Sequence, residues 1–183
     1  GASGQTFVDS NGAELAKEAP ELSALDFSSD QSTLDPLLQA TGQQLASMIQ
    51  KFADVSIAED VHEMRFDRAP MIWREHRDKF RYVVTTNPFA ESRRQSQGGE
   101  VVAGDAKSAF PVPQGFVDIL SDLLPQNQSQ LRFRYLGRIA ESGGGSFVVA
   151  FLARDGTRQG LVWIDEATKR LLRLRADVLK HPE

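Results

Sequence analysis

Apolar positions along this chain change period several times, and each change predicts an element. Between residues 35 and 53, Leu38, Thr41, Leu45, Met48, Ile49 and Phe52 recur three or four apart, the spacing that lines one face of an α-helix. Asp35-Pro36 supplies an acidic cap and a proline suited to a first turn, so a helix is predicted over 35–53. Gly42 inside it costs about 1 kcal/mol relative to alanine, which predicts close packing against another element. From Val55 to Phe66 the period falls to two, with Val55, Ile57 and Val61 on one side and Ser56, Asp60 and His62 on the other. That alternation predicts a long, half-exposed strand. Residues 67–79 carry Pro70 and many charges and are expected to be mostly loop, with Met71-Ile72-Trp73 beginning a second strand. Residues 80–86 alternate again until Asn87-Pro88 stops them.

Residues 87–109 form the most polar stretch and predict a long loop, within which Gln97-Gly-Gly-Glu100 followed by Val-Val-Ala resembles a turn between two short strands. Pro111 and Pro113 lead into a short helix expected over 114–124, with Phe116, Ile119, Leu120, Leu123 and Leu124 as its stripe and Pro125 close behind. The C-terminal third reads as a meander. Leu131, Phe133, Tyr135 and Ile139 alternate with Arg132, Arg134 and Arg138, residues 141–145 turn, Phe147 to Ala153 is nearly all apolar, and Asp155-Gly156 turns again. Strands over 161–165 and 170–175 close the series. Short turns between successive strands predict an antiparallel sheet, because parallel neighbours need crossovers of roughly a dozen residues. The helix stripes must bury against that sheet, so the fold class is α+β.

Residues 1–32 have scattered apolar positions, an interrupting Pro20 and room for a short helix over 13–17. They are expected to form an arm lying on the rest, with Leu22, Leu25 and Phe27 as contacts, and residues 33–183 to form a single domain. The opening Gly1-Ala-Ser-Gly4 lacks an initiator Met and the apolar core of an export signal, and reads as a trimmed terminus.

Composition narrows the functional classes. With 40% hydrophobic and 25% charged residues, the 183-residue chain is ordinary for a folded protein. No run approaches the roughly 20 apolar residues of a spanning helix, so no integral membrane segment is expected. A net charge of -4 and a pI near 5.5 give no electrostatic footprint for nucleic acid. Zero cysteines remove disulfides, thiol nucleophiles and cysteine zinc sites together.

Catalytic and metal chemistry find no constellation, so no catalytic residue, metal ligand or cofactor is assigned. His62-Glu-Met-Arg-Phe66 lacks the second histidine of a zinc-protease helix, His76 lies in the charged run, and His181 is terminal. Gly143-Gly-Gly-Ser146 leads into a strand without the glycine that comes after a nucleophilic serine, and reads as a hairpin turn. No glycine-rich phosphate loop occurs, and the neighbouring Glu59 and Asp60 point to opposite faces of a strand. The positive signal is apolar: Phe133, Tyr135, Phe147, Val149, Phe151, Val162, Trp163 and Ile164 exceed what one thin layer requires. Either they form a plain core beneath the helices, or the sheet curves around a cavity for an apolar ligand. Asp165 and Thr168 have the spacing of a turn whose side chains bond their own backbone. Trp163, Leu172 and Leu174 are then expected on one face of that hairpin, with Arg173 and Arg175 opposite Leu172 and Leu174.

The C-terminal third also carries a resemblance. Leu131-Arg-Phe-Arg-Tyr-Leu-Gly137, Phe147-Val-Val-Ala-Phe151 and Gly160-Leu-Val-Trp-Ile-Asp165 with Thr168 and Leu172-Arg173 resemble exported bacterial proteins of the outer-membrane lipoprotein carrier (LolA-like) superfamily. Pro20-Glu-Leu22, the helix over 35–53 and Glu91-Ser-Arg93 are similar to an uncharacterised group with these features, so the resemblance spans about residues 18–180. It implies a strongly curved antiparallel sheet, a half-barrel, with helices packed on its concave face. The link from Arg154 to Gly160 is short for that pattern, and the chain stops at His181-Pro-Glu183 where more strands are implied. The implied function is a non-enzymatic, periplasmic or otherwise exported binding module for a lipid or acylated protein. Its apolar groove would be formed by Phe116, Phe133, Tyr135, Phe147, Phe151 and Ile164, the bulky members of the alternating faces and the short helix. The alternative is a structural or protein-interaction domain with a filled core and no small-molecule ligand.

Overall fold

Asn11 opens the first helix, α1 (Gly12–Glu18), with a reciprocal cap. The Glu14 N–H donates to the Asn11 side chain and the Asn11 N–H donates to the Glu14 carboxylate, each at 3.0 Å, which satisfies two of the donors a helix start leaves open. A 3-10 turn at Pro20–Leu22 and a two-residue strand, β1 (Asp26–Phe27), complete the N-terminal segment. The computed structural model describes residues 6–51, 54–66, 73–86, 89–97, 100–101, 120–141 and 144–179. The chain divides into two compact units, residues 1–48 with 118–183, and residues 49–117.

The first unit holds an open, five-stranded antiparallel sheet in an α+β arrangement. Its strands after β1 are β6 (Leu131–Glu141), β7 (Gly144–Ala153), β8 (Arg158–Asp165) and β9 (Leu171–Val178), in the order β1-β6-β7-β8-β9. Helix α2 (Leu34–Lys51) precedes them and nearly matches the predicted span, with residues 52 and 53 outside the described set. Its buried side is Leu37, Thr41, Gly42 and Leu45, whereas Met48 of the predicted stripe is 39% exposed. Gly42 does face a close neighbour: a Cβ there would lie 2.8 Å from Gln128 Nε2 and 3.1 Å from the Pro125 ring. Of the helix predicted over 114–124, residues 114–119 lie outside the described residues and 120–122 are helical.

The turns between these strands obey the sequence signals. Thr157 N–H donates to the Asp155 carboxylate at 3.0 Å beside Gly156, whose positive φ of 71° closes the turn between β7 and β8. At the next turn, Thr168 donates to Asp165 Oδ1 from both its N–H and its hydroxyl, each at 2.6 Å. Two irregularities interrupt the ladders, between Tyr135 and Gly137 in β6 and between Trp163 and Ile164 in the β8–β9 pairing. The first depends on Gly137, which has φ 146° and lies so close to β1 that a Cβ would meet the Asp26 carbonyl oxygen at 1.9 Å.

One face of the sheet is buried under the N-terminal segment. Phe7, Val8, Leu15, Ala19, Leu22 and Leu25 form one cluster with Leu136, Ile139, Val148, Ala150, Leu161 and Trp163. Phe27, expected among the contacts, is 37% exposed, although its ring lies against Gly12.

The second unit contains β2 (Val55–Phe66), β3 (Trp73–Thr86), β4 (Phe89–Gln97) and β5 (Glu100–Val101), antiparallel in the order β2-β3-β4-β5. β2 matches its prediction. The charged run 74–79, expected as loop, is instead strand and pairs with β2. The polar run 89–97, expected as loop apart from a short strand at its end, is strand throughout and pairs largely with 80–86 of β3, with Gln97 paired to Glu100 where the turn is expected. Backbone pairing with a neighbouring strand satisfies the ladder whatever the side chains are, so polar sequences form strands that carry no apolar alternation. Phe80, Tyr82 and Val84 are buried at alternate positions of β3, as period two requires.

Candidate binding site

The apolar positions proposed from sequence are gathered by register onto one face. Phe133 pairs with Phe151, Tyr135 with Val149, Phe147 with Ile164, and Val149 with Val162, and directly opposed residues of an antiparallel pair share a face. Five of the six candidates, Phe133, Tyr135, Phe147, Phe151 and Ile164, therefore come together, and Phe116 lies outside the described residues. Tyr135, Phe151 and Ile164 are buried, while Phe133 and Phe147 are half-buried. The Tyr135 and Phe147 rings meet edge-on, centroids 6.0 Å apart at 69°, and Lys169 Nζ sits 4.8 Å from the Phe147 ring centre. Burial pushes the Tyr135 hydroxyl above its ordinary value, and the Glu166 carboxylate adds to the shift.

On this face Leu38 and Thr41 of α2, Leu123 and Gln128 meet Val149, Val162 and Ile164 around a crevice of about 10 Å³. Gln128 ties its wall together by donating from Nε2 to Leu38 O at 3.1 Å and to Leu123 O at 2.9 Å. Thr41 is buried and its hydroxyl makes no hydrogen bond, which leaves one unsatisfied polar atom in a lining whose other polar side chain, Gln128, is bonded. Asp122 and Arg158 form an ion pair that joins the helical turn at 120–122 to β8. The crevice has room for about one water, since a single water needs roughly 10–15 Å³.

The opposite face carries polar recognition that the alternation alone does not reveal. Arg132 and Arg134, which alternate with the apolar positions of β6, hold the N-terminal segment, Arg132 while remaining exposed. Arg132 pairs with Asp9 at 2.7 Å, and Arg134 donates to Val8 O at 3.2 Å and Ser10 O at 2.5 Å. Gln159 accepts from the Phe7 N–H at 2.8 Å, and Arg175 reaches Glu21 at 2.7 Å while lying 5.0 Å from the Phe7 ring centre. The usable signal is Arg132, Arg134 and Arg175 recurring at same-face positions beside a segment that carries Asp9 and Glu21.

The predicted face assignment around Trp163 needs correction. Trp163 pairs with Arg173, whose guanidinium lies 4.6 Å from its ring, so the tryptophan shares a face with Arg173 and Arg175. Leu174 pairs with Val162 on the crevice face, and Leu172 is the extra residue of the irregularity at 59% exposure. One inserted residue reverses the parity of everything beyond it.

Register places Glu63 opposite His76 and His62 opposite Arg77 on the two neighbouring strands. Ser146 is buried and its hydroxyl has no hydrogen-bond partner, so no base activates it. No group of three or more His, Asp or Glu among the described residues can hold a metal, and no described helix is long and apolar enough to cross a membrane. Comparison with family models, curated proteins and solved structures returns no match.

Proposed function

We propose that this chain is a non-enzymatic, exported interaction domain whose curved sheet, a half-barrel with α2 along its concave side, is filled by its own side chains. The observation that carries this reading is the size of the crevice. It measures about 10 Å³, whereas even a benzene-sized guest occupies a cavity of about 150 Å³. Burial on the other face supports it too, since Phe7, Leu15 and Leu22 cover the apolar positions that a ligand would otherwise take. Recognition then falls to the outside of the sheet, and no cofactor takes part. Export rests on the resemblance of the C-terminal third to exported carriers, and fractionation of cells expressing the native gene tests it.

A second reading, a carrier of a lipid or lipoprotein acyl chain, is favoured by one observation: Phe133, Tyr135, Phe147, Phe151 and Ile164 share the face onto which the crevice opens. Under it α2 would have to leave the sheet to admit a chain. Titration with a hydrophobic fluorescent probe, together with mass spectrometry of lipids extracted from purified protein, separates the two. The interaction reading expects no saturable probe site and no co-purifying lipid. A stoichiometric acyl lipid overturns it in favour of the carrier.

A further inference from the structure

Among the described residues β9 bonds to β8 alone, and none of them pairs with the other side of this 8-residue strand. One hydrogen bond determines which of its backbone groups face outward. Leu179 N–H donates to Thr157 O at 2.7 Å, one position beyond the Arg158–Val178 pair. Along an antiparallel pair, hydrogen-bonded and non-bonded positions alternate. Positions 177 and 175 therefore bond across to β8, and positions 178, 176 and 174 turn their N–H and C=O groups away from it.

That open edge complements itself. A twofold axis at Ala176 sets Ala176 against its own copy, Leu174 against position 178, and Arg175 against Asp177. All three outward positions then become ladder pairs, about six backbone hydrogen bonds in all. Each Arg175 lies opposite an Asp177 of the other copy, on the face that also carries Glu21. An axis at Leu174 would instead oppose Arg173 to Arg175. The charged groups are already ordered: Arg175 holds Asp177 through Nε at 3.0 Å and Nη2 at 2.8 Å. An ionised carboxylate has about four acceptor sites, so Asp177 can receive a second guanidinium without giving up the first. Edges that avoid pairing usually carry charged side chains, Lys above all, or Pro or a bulge; residues 173–178 contain neither Lys nor Pro, and of their charges Arg175 and Asp177 oppose each other across this axis with opposite sign. The bulge lies at the start of the strand, at Leu172.

We propose that β9 pairs antiparallel with β9 of a second copy about a twofold axis at Ala176, joining two five-stranded sheets into one. This association does not depend on what the crevice holds.

The test is light scattering on size-exclusion fractions over a dilution series, with amide hydrogen exchange at Leu174 and Ala176. The proposal expects the mass to double at high concentration and protection of these two amides to fall on dilution. Ala176→Pro removes the central donor, and because that N–H faces outward it costs no bond to β8. It should give a monomer at every concentration, with the melting temperature of the wild type at dilutions where that is monomeric. Should that variant fail to fold, Asp177→Arg opposes like charges and should weaken the dimer by at least about tenfold. A wild-type monomer at every concentration, or a dimer that survives these substitutions in folded protein, overturns the proposal. So does protection of Ala176 that ignores dilution, because it would place a segment of the same chain on the edge.

Discussion

The side chain of Gln31 completes the edge of β6 at Tyr135. Its Nε2 donates to Tyr135 O and its Oε1 accepts from the Tyr135 N–H, both at 2.9 Å, so one side-chain amide takes the place of a strand residue. The position matters because the ladder shifts register between Tyr135 and Gly137, and β1 pairs only with Gly137 and Arg138. Gln31→Ala leaves both backbone groups of Tyr135 without their partner and should cost about 1–3 kcal/mol in denaturant unfolding. Gln31→Glu turns the donor into a second acceptor facing a carbonyl and should recover little. A loss within about 0.5 kcal/mol for Gln31→Ala would show that solvent replaces the amide.

Acid should loosen the N-terminal segment first. Burial pushes the Glu21 carboxyl up, but the Arg175 hydrogen bond, a backbone hydrogen bond and the charges of Arg175 and Arg173 together outweigh it and hold the group below the usual carboxylate range. Asp9 is held low by hydrogen bonds from Arg132 and Thr6. A depressed folded-state pKa contributes stability that is complete above the unfolded value and is lost as pH falls through the folded one. Stability should therefore decline below about pH 4.3, the ordinary glutamate value, with cleavage by an acid-active protease appearing in residues 6–27. Glu21→Gln should lower stability at neutral pH and flatten the acid slope. Identical slopes in the two proteins would remove Glu21 from this role.

Thr41 offers a stabilising substitution. Its hydroxyl is buried without a hydrogen bond beside a crevice lined by Leu38, Val149 and Ile164. Valine has nearly the same shape and no polar atom to desolvate, so Thr41→Val should raise stability by about 1 kcal/mol. A loss of similar size would mean that the hydroxyl holds a water in the crevice.

How much of this was legible depends on whether burial imposed a period. Helix α2 and β2 stood out because apolar residues recur at 3.6 and at 2 along them, and the hairpins after β7 and β8 because Asp155-Gly156 and Asp165 with Thr168 carry turn chemistry. β4 was legible only at its end, where Gln97-Gly-Gly-Glu100 reads as a turn between two short strands; the length of Phe89-Ala-Glu-Ser-Arg-Arg-Gln-Ser-Gln97 was not, since it has no apolar alternation and its strand state rests on pairing with β3. The polar anchoring of the N-terminal segment was invisible for a related reason. Alternating Arg132 and Arg134 read as solvated unless the partners Asp9, Val8 and Ser10, more than a hundred residues away, are known. At the candidate site, chemistry gave the residues and register gave their convergence. The small volume of the crevice depends on side-chain fit, which no period encodes.

The Leu172 irregularity carries a prediction that inverts the simple alternation of the hairpin. Without a bulge, Leu172 and Leu174 would share a face and respond alike to substitution. With it, Leu172 is 59% exposed, whereas Leu174 is half-buried opposite Val162. Leu172→Asp should then change stability by no more than about 0.5 kcal/mol, as surface substitutions do. Leu174→Ala should cost about 1–2 kcal/mol, less than a fully buried leucine because part of its surface already meets solvent. Unfolding of both variants, tracked by the fluorescence of Trp163, measures the difference. Equal costs at 172 and 174 would mean that β9 lacks the bulge. They would also move Leu174 and Ala176 off the outward-facing positions that the edge pairing requires, so this pair of substitutions tests the register on which the dimer proposal stands.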